Sequence, residues 1–169
     1  MRTHNLVTIV IPVYNPDEKF TALLNALITN GYKNVIIIND GSQKSANPFF
    51  QEAEKLGYTV LTHSINLGQV RAYKTGFNYY LSISSDDSVG IIECDCDGQH
   101  SIADINKCAE LLCNNPDKFI LGVRSFSSSV PFRSRFGNTV TSFIFKTMFN
   151  LDVKDTQTGL KGIPDKFGN

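Results

Sequence analysis

No net charge is left when the 16 Lys and Arg of this 169-residue sequence are set against its 16 Asp and Glu. A globally basic nucleic-acid binder is thereby excluded, though a local basic patch is not. Long apolar runs are also missing. Val35–Ile38 is typical of those present, and a membrane span needs roughly 18 residues or more. The N-terminal MRTHNLVTIVIPVYN places a basic residue before apolar ones. Its apolar part is too short and too β-branched for a signal peptide, and no small-residue cleavage site follows. The cysteines Cys94, Cys96, Cys108 and Cys113 include no C-x-x-C pair, so neither a zinc ribbon nor a thioredoxin-like site is expected. Buried, reduced thiols in a cytosolic compartment are expected instead. There is no G-x-G-x-x-G, G-K-[ST], H-E-x-x-H or G-x-S-x-G. A dinucleotide cofactor and a Walker-type phosphate cradle are therefore not expected.

What is present is a globular composition, with 41% apolar residues, 12 Phe and 6 Tyr, in a length that suits one domain with one core. The pattern alternates between strand and helix. Val7–Val13 is β-branched and reads as a buried strand. Asn15 suits a helix cap and Pro16 a first helical position. Phe20, Leu23, Leu24, Leu27 and Ile28 then share one helical face, and Asn30-Gly31 ends it. Further strands are expected at Val35–Ile38, Tyr58–Leu61, Gly90–Cys94 and Phe119–Val123. Further helices are expected from Asn47-Pro48 to Leu56, over Gln69–Leu81, and from a capping-box-like Ser101/Asp104 pair to Cys113. Ser125–Ser129 reads as a surface loop. This rhythm predicts an α/β fold, a mostly parallel central sheet with helices on both faces. Ligands of such sheets bind beyond the carboxyl ends of the strands.

Polar groups collect at those ends: Tyr14-Asn15, Asp40-Gly41-Ser42, Asn66-Leu67-Gly68 and Asp95-Cys96-Asp97-Gly98-Gln99-His100. In an extended segment Asp95 and Asp97 project to one side, and Cys94 and Cys96 to the other. Adjacent carboxylates repel unless a cation sits between them, and hard oxygen donors favour Mg²⁺ or Mn²⁺. Asp97-Gly98 is also a good tight-turn pair, but the position at the end of a buried strand favours the metal. Asp40-Gly41-Ser42 fits either an Asx-type turn or a hydrogen-bonding group for a base or ribose. Asn66-Leu67-Gly68 is compatible with an ordinary turn.

The series IPVYN, NDGS, NLGQVRAYKTG, DCDGQH, LGVR, RSRFGN and DTQTGLKG resembles the family 2 glycosyltransferases of GT-A fold. The likeness is greatest to the dolichol-phosphate mannose synthase and polyprenyl-phosphate glycosyltransferase branch, and runs from Val7 to Pro164. The resemblance implies a nucleotide-sugar donor in a pocket lined by Pro12, Tyr14, Asn15, Asp40, Ser42, Gly68 and Lys74. Asp95 and Asp97 would hold Mg²⁺ or Mn²⁺ on the diphosphate, with Gln99 as a third metal contact. Arg124, Arg133 and Arg135 match arginines expected near donor or acceptor phosphates. Asp155, Thr158 and Gly159 match a D-x-x-T-G element on the acceptor side. Asn39 stands where many members carry Asp, and Gln69 replaces a frequent Lys. The chain ends soon after Gly162, so residues 1–169 are expected to be a catalytic domain truncated at its C-terminus.

The chemistry implied is one inverting displacement at the anomeric carbon, within cell-envelope or glycan biosynthesis. A polyprenyl or dolichyl phosphate acceptor is already anionic and needs no strong base, and Arg133 and Arg135 would orient it. A glycan hydroxyl acceptor would need a base, with Asp155 first and His100 second. Phe143–Phe149 reads as a core-facing helix, the alternative being an interfacial helix at a lipid-bearing membrane. The expected location is the cytoplasm, with peripheral contact at the cytoplasmic face of the membrane, and no nucleic-acid partner is expected. Two rivals remain. A sugar nucleotidyltransferase would carry a glycine-rich, basic first loop, which IPVYNPDE lacks. A non-catalytic nucleotide-binding fragment would bind without turnover.

Overall fold

The computed structural model describes residues 3–122 and 159–165. Among them six strands form one sheet. The strands are β1 (Val7–Val13), β2 (Val35–Asn39), β3 (Thr59–Thr62), β4 (Gly90–Glu93), β5 (Ile120–Leu121) and β6 (Lys161–Pro164), in the order β3-β2-β1-β4-β6-β5. β3, β2, β1 and β4 run parallel, as the alternating sequence pattern predicts. Of the strand expected at Phe119–Val123, the described residues show Ile120–Leu121, which does not pair with β4. A reversed strand, β6, lies between them and pairs antiparallel with both. β6 has the sequence Lys-Gly-Ile-Pro, which has no strand signature of its own because Gly and Pro are poor ladder residues.

β1 is buried along its whole length, and its side chains alternate between two apolar layers. Val7, Ile9, Ile11 and Val13 face one layer together with Val35, Ile37 and Ile92. Val10 faces the other with Ile36, Ile38 and Ile91. Three helices cover the first layer: α1 (Glu18–Thr29), α2 (Asn47–Lys55) and α4 (Ile102–Asn114), through Phe20, Leu24, Leu27, Phe50, Ala53, Ile105 and Leu112. α3 (Gln69–Ile83) covers the second through Ala72, Tyr73 and Tyr80. Cys94 and Cys108 lie in the first layer, and all four thiols are free. Burial pushes the Cys96 thiol up to about 11 and that of Cys108 up to about 12, so both are protonated, inert packing groups.

Two helix starts differ from expectation. Asn15 adopts a left-handed conformation, φ 48°, and cannot lead directly into a helix. α1 begins instead after Asp17, whose Oδ1 accepts from the Lys19 amide at 2.9 Å. Asn47 is the first residue of α2 rather than its cap, because a 3₁₀ turn over Lys44–Ala46 feeds the helix. The capping box at Ser101 and Asp104 is formed, with both reciprocal bonds at 3.2 Å.

α3 sits unusually close to the sheet at Gly76. A Cβ there would stand 2.5 Å from Val10 Cγ1 and 2.9 Å from Ile38 Cδ1. Val10 is β-branched and fully buried, so its methyl has no free rotamer to yield into. Gly76→Val is expected to destabilise the fold by about 2–3 kcal/mol through overpacking. A denaturant midpoint lowered at unchanged slope would confirm it, and an unchanged midpoint would refute close packing at this point.

Candidate active site

The carboxyl ends of the parallel strands open into a cleft of about 360 Å³. Pro12, Val13 and Tyr14 line it from the end of β1, and Asp40 from the end of β2. Asn66, Gly68 and Gln69 line it from the start of α3, and Asp95, Cys96 and Asp97 from beyond β4. Tyr14 is half exposed there, at 51%. Residues from four separate stretches of chain therefore meet at one sheet edge, as the topology requires.

Asp40 is only 3% exposed, and its carboxylate is fully engaged by protein donors. Oδ1 accepts from the Leu67 amide at 2.9 Å and from His63 Nδ1 at 2.7 Å, and Oδ2 accepts from the Gly68 amide at 2.8 Å. His63 Nε2 is in turn hydrogen-bonded to Thr75 Oγ1 at 2.9 Å. Burial by itself would raise the Asp40 carboxyl. The Leu67 amide, His63 and the Gly68 amide outweigh it and hold the group below the usual carboxylate range. The turn after β2 is built by its neighbour, since Asn39 Oδ1 accepts from the Ser42 amide at 3.0 Å. Asp40 thus reaches the cleft wall with its charge directed at the residue 66–68 loop.

Asp95 is held differently. Its Oδ1 accepts from Gln69 Nε2 at 2.6 Å and from the Tyr73 hydroxyl at 3.2 Å. Its Oδ2 faces His100 Nε2 at 3.8 Å, an ion-pair contact too long for a hydrogen bond. The nearby His100 imidazole, helped by the Tyr73 hydroxyl and the Lys161 ammonium, holds the Asp95 carboxyl below its usual range against the opposing effect of burial. Asp97 Oδ1 accepts from the Gln99 amide at 3.0 Å, and Gln99 Nε2 donates to Asp97 Oδ2. Among the described residues, no three His, Cys, Asp or Glu side chains converge into a ready-made metal cage.

Other site residues expected from sequence fall in three places. Asn15 and Ser42 join the first two loops: the Asn15 amide donates to Ser42 Oγ and the Gln43 amide to Asn15 Oδ1, both at 2.9 Å. Lys74 does not line the cleft. It borders a separate groove of about 610 Å³ between α3 and the β4–β6 face, with Val70, Phe77 and Ile163. Arg124, Arg133, Arg135, Asp155, Thr158 and the Phe143–Phe149 segment lie outside the described residues. The structure gives roles to Gln69, which the sequence marks only as a departure from a frequent Lys, and to Tyr73, His63 and Thr75, which carry no motif. Gln69 and Tyr73 stand one helical turn apart on α3, a spacing that puts both on one face toward Asp95. His63 and Thr75 had no local signal, since they meet only through the fold.

An α/β sheet of this order, flanked by helices and carrying its acidic pair beyond the central strand, is a nucleotide-sugar transferase fold of the GT-A class. Its likeness to the glucosyl-3-phosphoglycerate synthase of Mycobacterium tuberculosis, solved with Mn²⁺, uridine diphosphate and glucosyl-3-phosphoglycerate, has a TM-score of 0.67 over 96% of this chain and 57% of that one, at 14% identity. The chain belongs to glycosyl transferase family 2, whose sequence profile matches residues 8–163. A UDP-N-acetylglucosamine–dolichyl-phosphate N-acetylglucosaminyltransferase of Methanococcus voltae is 26% identical over 174 residues, 92% of this chain and 68% of that protein. An uncharacterized protein of Methanocaldococcus jannaschii is 29% identical over 159 residues, 92% of this chain and 63% of that protein. The chain thus spans somewhat over half the length of the solved enzyme and about two thirds of these relatives.

Because the folded Asp40 carboxyl lies below its ordinary value of about 3.9, its stabilisation is complete above that pH. It drains away as the pH falls through the folded value. Asp40→Ala, which leaves the Leu67 amide and His63 Nδ1 without their acceptor while the Gly68 amide keeps Asn66 Oδ1, is expected to cost about 1–3 kcal/mol at pH 7. The gap from wild type should narrow at pH 3. Urea midpoints at the two pH values check this, and a gap that does not narrow would show that the charge is not what holds the loop.

Proposed function

We propose that this chain carries the donor-binding and metal-binding half of a glycosyltransferase that moves a sugar from a nucleotide-sugar donor to a polyprenyl or dolichyl phosphate. The observation that carries the reading is the placement of Asp95 and Asp97 in one cleft with Pro12, Tyr14 and Gly68. The residues fit a divalent cation. The Asp95 carboxylate stands 3.8 Å from a buried His100 imidazole nitrogen that has no hydrogen-bond partner among the described residues, Asp97 lines the same cleft, and Gly159 comes so near that a Cβ there would stand 1.8 Å from Asp95 Oδ2. Asp95, Asp97 and Gln99 would hold it. When bound, Mg²⁺ or Mn²⁺ neutralises the charge that develops on the nucleoside diphosphate leaving group.

The chain's own residues do the remaining work on the donor side. Gln69 and Tyr73 hold Oδ1 and so fix the Asp95 rotamer, with Oδ2 turned toward His100. Asp40 holds the residue 66–68 loop as one wall of the nucleotide pocket, and Pro12 and Tyr14 form the other, with Asn15 and Ser42 locking the two loops together. The acceptor reading is supported by the similarity to the Methanococcus voltae enzyme, whose name states a UDP-sugar donor and a dolichyl phosphate acceptor. A lipid phosphate would supply an anionic oxygen as nucleophile, so no strong base is needed; its bond to the anomeric carbon forms as the bond to the nucleoside diphosphate breaks, and one such displacement inverts that centre. Arg133, Arg135 and Asp155 enter this proposal on sequence similarity alone. No helix among the described residues is long and apolar enough to cross a membrane.

Uridine diphosphate with Mn²⁺ is expected to raise the melting temperature by about 5–10 °C at 100 times its dissociation constant. Asp97→Asn, which keeps shape and loses charge, should abolish the metal-dependent part of that rise. Equal stabilisation with and without Mn²⁺ would overturn the metal assignment. Transfer of labelled sugar from UDP-N-acetylglucosamine to a polyprenyl phosphate tests the reaction itself. Donor stabilisation with no transfer to any lipid phosphate would favour a binding module or another acceptor.

A further inference from the structure

We propose that His100 is a nitrogen ligand of the divalent cation, seated across from Asp95, an inference that rests on the donor-binding reading above. The His100 side chain is 8% exposed, and its Nε2 is a buried polar atom with no hydrogen-bond partner among the described residues. Leaving such a group unpaired costs about 1–3 kcal/mol, so the position calls for a partner beyond the described residues, and a bound cation would supply one. Nε2 stands 3.8 Å from Asp95 Oδ2. Two donors on one first-row cation, each bonded at about 2.0–2.3 Å, stand about 3–4.5 Å apart.

Among the described residues, the hydrogen bonds around Asp95 direct these two atoms toward each other. Asp95 Oδ1 is taken by Gln69 and Tyr73, so Oδ2 is the oxygen on offer. Gln99 Nε2 donates to Asp97 Oδ2, so its side-chain oxygen is the atom it would offer a cation. On the far side lies Gly159, where a Cβ would stand 1.8 Å from Asp95 Oδ2 and 2.8 Å from His100 Nε2. Any side chain there would fill the seat. His100 binds through the Nε2 lone pair, with the ring proton on Nδ1. The protein then provides a partial shell, and donor diphosphate oxygens and water complete it. An imidazole donor suits transition metals better than Mg²⁺, so His100 sets a preference for Mn²⁺ over Mg²⁺.

Pulsed electron paramagnetic resonance on the wild-type chain with Mn²⁺ and uridine diphosphate tests this directly. The expected result is a hyperfine coupling from a directly bound nitrogen that changes to the ¹⁵N pattern when histidine is ¹⁵N-labelled, a readout that needs no variant. His100→Ala should lose that coupling and bind Mn²⁺ at least about tenfold more weakly, the loss that removing even an outer partner of a ligand brings. Its affinity for Mg²⁺ should change less. His100→Gln should retain a cation without nitrogen coupling and with a reduced Mn²⁺ to Mg²⁺ preference. Phosphorus coupling from the diphosphate with no histidine coupling would overturn the role of His100 and leave the donor site standing. No Mn²⁺ binding at all would overturn the donor-site reading, and this inference with it.

Discussion

A charge buried at the end of a central strand must be surrounded by donors, and Asp40 meets that demand by gathering the Leu67 and Gly68 amides and the His63 ring around it. The consequence reaches beyond the loop. Gly68 is the cap residue of α3 and has no side chain to accept from the first turn. The carboxylate of Asp40, arriving from β2, places negative charge at that helix start, where the dipole favours it. His63 extends the tie to Thr75 in the second turn of α3. The helix is thereby pinned at its first two turns to the ends of β2 and β3, while Gly76 lets its next turn settle onto Val10 and Ile38.

Everything proposed for the metal depends on where α3 is pinned. Gln69 and Tyr73 project from its first two turns onto Asp95, so the orientation of one metal-side carboxylate is set through the helix by another carboxylate on the far side of the cleft. The opposite boundary of the site is set by β6. Its register with β4 places Lys161 opposite Glu93, and the two side chains pair at 2.6 Å with Glu93 7% exposed. Such a pair contributes little net stability, but it fits one register of the antiparallel ladder. That register delivers Gly159 to Asp95 and His100.

Much of this was legible in the chain before the fold was known. The β-branched run of β1, the apolar helical face from Phe20 to Leu27 and the Ser101/Asp104 capping box are local patterns, and local patterns are readable. The acidic pair was legible too, because the end of a buried strand in an alternating α/β pattern is a position with chemical meaning. What was not legible depends on contacts distant in sequence. β6 has too short and too poor a strand sequence to announce itself, and exists through its ladder with β4. Asn15 looked like a helix cap because its type suits one, but a left-handed backbone and bonds to Ser42 and Gln43 gave it another task. Lys74 was placed beside the nucleotide by its motif, whereas α3 turns it toward the groove over β4 and β6.

The sequence by itself determined the class of fold, the order of its elements and the four polar loops that would share an edge, because periodicity and cap chemistry act within a few residues. Tertiary structure alone decided what each polar group does there. Whether a carboxylate is spent on backbone amides, as at Asp40, or left with one open oxygen, as at Asp95, depends on which donors the fold brings within about 3 Å. Those donors come from 22 to 28 residues away along the chain, a distance over which sequence pattern carries no geometric information and packing carries all of it.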